Sequence, residues 1–91
     1  MGDIIRRRIC FYGWVQGVGF RYRARHAASL YSVTGWVRNE SDGTVTMEIQ
    51  GTETQIDQVL QAIRRGRYIQ IDGMQTTCLP VAPEERGFIT R

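Results

Sequence analysis

The chain has 91 residues, 42% hydrophobic and 23% charged, and its 12 Lys and Arg against 9 Asp and Glu give a formal net charge of +3. These proportions fit one globular domain spanning 1–91, of a size whose folding removes roughly 60 to 65% of the unfolded surface. They exclude a disordered chain, and no apolar run is long enough to cross a bilayer as a helix.

The isoelectric point near 9.3 favours anionic partners without separating a phosphate substrate from a nucleic acid. Cys10, Cys78 and the single histidine, His26, are too few and too scattered for a zinc site, so neither a metal nor a cofactor is expected. The first residues carry no secretory pattern, and Arg6 stands where a myristoylation signal has Ser or Thr. A reducing cytoplasm is the expected location, with no membrane partner.

In chain order, Ile5, Arg7, Ile9 and Phe11 alternate with Arg6, Arg8, Cys10 and Tyr12, which predicts a strand buried on one face near its end. A glycine-rich stretch, GWVQGVGFR from Gly13 to Arg21, follows. Phe20, Ala24, Ala27, Ala28 and Tyr31 then recur at helical spacing and predict a helix that starts directly after Gly19.

Gly35 to Glu40 and Thr44 to Ile49 flank Ser41-Asp42-Gly43, a hairpin in which Asp-Gly supplies positive φ angles. A second helix opens at Thr52, with Gln55 completing a capping box and Ile56, Val59, Leu60 and Ile63 on one face. Arg64 and Arg65 suit its C-terminus, and Gly66 is placed to stop it. Ile69 and Ile71 continue into a strand whose alternation changes phase at Gly73, as at a bulge, before Met74, Thr76 and Cys78. Pro80 and Pro83 mark a loop, and Phe88-Ile89-Thr90 offers a short final strand. The order β-α-β-β-α-β, with this fifth strand as an addition, predicts a ferredoxin-like α/β plait: an antiparallel sheet with two helices on one face.

A glycine-rich turn that leads from a strand into a helix exposes backbone N–H groups at the positive end of the helix dipole, where they suit a phosphate. Arg21 in the first turn adds a planar charged fork. The glycines serve equally well as plain turn residues, and their spacing alone leaves both readings open. Gly13, Gly17 and Gly19 match neither GxGxxG nor the Walker motif.

VQGVGFR, Val15 to Arg21, followed by the Asn39 of GWVRN, resembles the acylphosphatases, and the resemblance covers nearly the whole chain. It implies metal-independent hydrolysis of the carboxyl-phosphate bond of a small acylphosphate by a cytosolic monomer. Arg21 matches the arginine that grips the phosphoryl group. The backbone amides of Val15, Gln16, Gly17, Val18, Gly19 and Phe20 match the loop around its oxygens, and Asn39 matches the residue that orients the attacking water. Without that match, Asn39 reads as a strand-end residue that satisfies the hairpin backbone.

The remaining residues read more plainly. His26 falls on the exposed helix face and is not taken as a base, and Arg23, Arg25, Arg64, Arg65 and Arg67 read as solvated charges. Trp36 reads as core and Trp14 as a cover over the loop, where the family more often has a polar or basic residue. Cys10 and Cys78 lie on strands this fold sets side by side and are read as reduced, with a disulfide the alternative. A nucleic-acid-binding plait of RRM type is a rival reading, but its aromatic motif belongs on the third strand, and Thr44 to Ile49 has no aromatic residue. A non-catalytic relative of the acylphosphatase-like domain of hydrogenase-maturation proteins is another.

Overall fold

The alternating residues of the first segment form β1 (Ile5–Trp14), and α1 (Phe20–Tyr31), β2 (Thr34–Asn39), β3 (Val45–Gly51), α2 (Glu53–Arg64), β4 (Gln70–Leu79) and β5 (Phe88–Thr90) follow. A computed structural model describes residues 2–91. The strands build one sheet in the order β4-β1-β3-β2-β5. Its pairs are antiparallel except β2 with β5, which run parallel, so the added strand makes the expected plait mixed.

One face of the sheet is apolar because Ile9 and Phe11 of β1 point the same way as Val37 of β2 and Val45, Met47 and Ile49 of β3. Against it lie Ala24, Ala27 and Ala28 of α1 and Ile56, Val59 and Ile63 of α2, all buried. Each large side chain removed from water here contributes about 1.5–3 kcal/mol. α2 opens with the expected capping box: Thr52 Oγ1 accepts from the Gln55 amide at 3.1 Å, and Gln55 Oε1 accepts from the Thr52 amide at 2.9 Å. Gly66 follows the C-cap residue Arg65, as expected of a stop, but without a positive φ, and a Cβ there would meet the Ile69 side chain and Arg23 Nε. It is small to make room.

The left-handed cap belongs instead to α1, where Ser32 takes φ 60° and ψ 36° and its amide bonds Ala28 O. In the β2–β3 turn only Gly43 has positive φ, at 91°, after a turn closed by Gly43 N on Glu40 O. Asp42 stays out of the left-handed region and holds the Thr44 amide and hydroxyl with Oδ1. The bulge falls where the phase change predicts it. Tyr12 pairs with Gly73 but Gly13 with Ile71, leaving Asp72 as the extra residue. Gly13, at φ +127°, admits the backbone of Asp72 so closely that a Cβ would lie 2.7 Å from its amide nitrogen.

The register also decides the cysteines. β1 and β4 are neighbours, but Cys10 lies opposite Gln75 and Cys78 opposite Arg7, so the two thiols sit on opposite faces and both are free.

The face away from the helices is not an open platform. β4 and β5 occupy opposite edges of the sheet, and the chain between them is pinned at two points. Glu85 takes a two-pronged hydrogen bond from Arg6 at 2.7 and 3.0 Å, and Gln50 exchanges hydrogen bonds with both backbone groups of Ala82 at 2.9 and 2.8 Å. Glu48 is held between Arg6 and Arg8, at 2.9 and 2.6 Å. Trp36 is buried as expected, but on this face, with the guanidinium groups of Arg38 and Arg91 5.0 and 4.6 Å from its ring centre. An RRM stacks bases on this surface, whereas β3 offers it Thr46, Glu48 and Gln50.

Two stability predictions follow from these contacts. Burial pushes the Glu48 carboxyl up, but the hydrogen bonds and charges of Arg8 and Arg6 outweigh it and hold it below its ordinary value. Its contribution is therefore complete above the unfolded value near ~4.3 and is lost as pH falls through the folded value. Glu48→Gln should cost about 1.5–3 kcal/mol at neutral pH, and urea midpoints should show the gap to wild type closing at pH 3. Conversely, Ser32→Gly removes a left-handed penalty of roughly 1 kcal/mol and should raise Tm by about 4–8 °C in a thermal scan.

Candidate functional site

Val15 and Phe20, 1% and 2% exposed, fix the two ends of the glycine-rich loop in the core. The Phe20 ring meets Phe11 edge-on with centroids 4.9 Å apart. Between these anchors Gly17 and Gly19 take φ +71° and +81°, and a Cβ at either would meet nothing within 4 Å. The glycines are thus required by backbone conformation and leave open space beside the loop. Val18 lies half-buried against the core.

Gly19 is the N-cap of α1 and offers no side-chain cap, so the first intrahelical donor is the Arg23 amide, on Gly19 O at 3.0 Å. Among the described residues, none of the amides from Gln16 to Phe20 finds a protein acceptor. Such groups left dry are costly, and in this open position they are available to an anion.

The loop is bolted to the β2–β3 hairpin by a side chain to which the sequence reading gave only a backbone role. Gln16 Nε2 donates to Glu40 O at 2.7 Å and to Thr44 O at 2.9 Å. Asn39 immediately precedes Glu40 at the end of β2, half-buried and opposite Val45. The hairpin backbone is held by Gln16 and Asp42 and makes no use of the Asn39 side-chain oxygen. That Oδ1 is buried without a hydrogen-bond partner, a condition that costs about 1–3 kcal/mol unless a polar group meets it.

Arg21 is exposed in the first turn of α1, a turn without an acidic residue, and has no ion-pair partner among the described residues. Arg23 is not merely solvated, since its guanidinium donates to Ala62 O of α2 at 3.1 Å and so ties the helices together. His26 is exposed as expected and lies parallel to the Tyr22 ring. Trp14, read as a cover over the loop, is 74% exposed. The one carboxylate directly after Asn39, on Glu40, is paired with Arg38 at 3.2 Å. Among the described residues no three of His, Cys, Asp and Glu are grouped as a metal site requires.

The acylphosphatase family model matches residues 7–90. An acylphosphatase of Clostridium acetobutylicum is 43% identical over 77 residues, covering 84% of this chain and 85% of that protein. The crystal structure of an acylphosphatase from Bacillus subtilis superposes with a TM-score of 0.86 at 28% identity, over 96% of this chain and 98% of the other. Full-length HypF, solved in a phosphate- and nucleotide-bound form, matches all of this chain with 12% of its own length, at 31% identity and a TM-score of 0.86. A ferredoxin-like sheet with these two motif blocks joined by Gln16, together with a family match over nearly its full length, makes this chain a member of the acylphosphatase family.

Proposed function

We propose that the chain hydrolyses the carboxyl-phosphate bond of small acylphosphates as a cytoplasmic monomer, with the Val15–Phe20 loop as the phosphoryl cradle. The observation that carries this reading is the run of acceptor-less amides from Gln16 to Phe20 beside the unpaired Arg21. Phosphoryl transfer asks for in-line positioning and for donors around three equatorial oxygens more than for a strong base. The amides and the Arg21 fork supply those donors. Asn39 Oδ1 accepts a hydrogen bond from the attacking water and so fixes its direction.

In the step itself the water oxygen bonds to phosphorus as the bond from phosphorus to the acyl oxygen breaks. The carboxylate leaves with the electron pair, and a phosphoryl oxygen takes the proton from water. A mixed anhydride has a good leaving group, so no protein acid is needed on the acyl side. Gln16 acts as a positioning residue, because its two hydrogen bonds hold the cradle against the strand that carries Asn39.

Purified protein should turn over benzoyl phosphate but not a phosphate monoester, with chelator present throughout. Arg21→Ala and Asn39→Ala should each lose about 100- to 1000-fold in kcat/KM while remaining folded by circular dichroism. Near-normal turnover by either variant would overturn its assigned role. For Gln16→Ala the expected loss is about 10-fold, mainly in kcat, since the donors remain but their alignment loosens. An unchanged kcat there would remove the clamp from the account.

A further inference from the structure

The first half of α1 carries Arg21, Arg23 and Arg25, and no acidic residue lies in its first turn. Cations there oppose the helix dipole, and Arg21 and Arg25 repel each other across one turn. A local rule broken without internal compensation marks a place where something else supplies the missing charge. Arg23 is explained by the Ala62 carbonyl. Arg21 is explained by the phosphoryl group of the reading above. Arg25 makes no ion pair among the described residues.

Arg25 is not on an isolated patch of surface. It lines a groove of about 870 Å³ between α1 and β5 that begins at Arg21 and continues past Ser29 towards Phe88, and no carboxylate among the described residues lines this groove. Arg21, Arg25 and Ser29 follow one another at four-residue intervals, so they form one stripe along its wall. A ligand held at Arg21 by its phosphoryl group has this groove as the adjoining space for its acyl part. The two arginines sit about 6 Å apart along the helix axis, a span comparable to an extended four-carbon acyl chain.

We propose that this groove is the acyl subsite and that Arg25 selects acyl groups ending in a carboxylate, that is, singly phosphorylated diacids. The proposal rests on the acylphosphatase reading and adds to it the substrate class and the residue that sets it. A carboxylate matches the guanidinium fork, and no groove carboxylate competes for it. The exposure of Arg25 keeps the expected gain modest.

The test compares two substrates of equal chain length, succinyl phosphate and butyryl phosphate, which differ in a terminal carboxylate against a methyl group. Wild type should favour succinyl phosphate by about 3- to 10-fold in kcat/KM, expressed mainly in KM. Arg25→Ala should bring the ratio to about one, and Arg25→Glu should invert it. Arg64→Ala, which removes the same charge from α2 outside the groove, should leave the ratio as in wild type. Turnover of butyryl phosphate with no preference in wild type, or a preference that survives Arg25→Ala, overturns the diacid subsite and leaves the acylphosphatase reading standing. Turnover of neither overturns the diacid subsite, and, if benzoyl phosphate is not turned over either, the acylphosphatase reading with it.

Discussion

Two buried side chains, Val15 and Phe20, force the chain to pass from a strand into a helix within a few residues, and the site depends on that constraint. A turn this short between core anchors leaves no neighbouring strand or helix for its amides to bond. Gly17 and Gly19 make the passage feasible because they take left-handed backbone conformations that other residues adopt only at a cost. The anchors contribute hydrophobic free energy, and part of it holds a loop whose donors remain unsatisfied. A rigid scaffold of this kind is what the proposed anion site requires.

Charge is arranged in two different ways in the same molecule. On the sheet face away from the helices, arginines are matched: Arg6 and Arg8 share Glu48, Arg6 also holds Glu85, and the segment joining β4 to β5 is thereby fixed across the sheet. At the start of α1, arginines are left without carboxylates. The first arrangement stabilises the fold, and the second leaves positive charge uncompensated at the place where the proposed function puts a phosphoryl group. A modest net charge of +3 hides this division, because it averages a neutralised face with an uncompensated one.

Much of the fold was legible because its signals are local. The Thr52 and Gln55 capping box lies within three residues, and the phase change at Gly73 lies within one strand. Of the proposed site, Arg21 drew notice by its place after Gly19, while Asn39 was singled out only through its pairing with the loop motif. What escaped the sequence depends on partners far along the chain: Glu48 and Glu85 lie 42 and 79 positions from Arg6, and Ala62 lies 39 from Arg23. The clamp made by the Gln16 side chain was hidden for the same reason, since a glutamine before a glycine carries no sign of a hairpin 24 residues away. The cysteines show the limit most clearly. Strand adjacency was readable, but the register that puts Cys10 and Cys78 on opposite faces was not.

Titration of inorganic phosphate into the ¹⁵N-labelled protein tests whether the amides of the Gln16–Phe20 loop hold a phosphoryl group. The expected result is saturable shifts of the Gln16, Gly17, Val18, Gly19 and Phe20 amide signals, abolished by Arg21→Ala. Saturable shifts centred elsewhere, such as the arginine-rich turn after α2, or none in the loop, would contradict it.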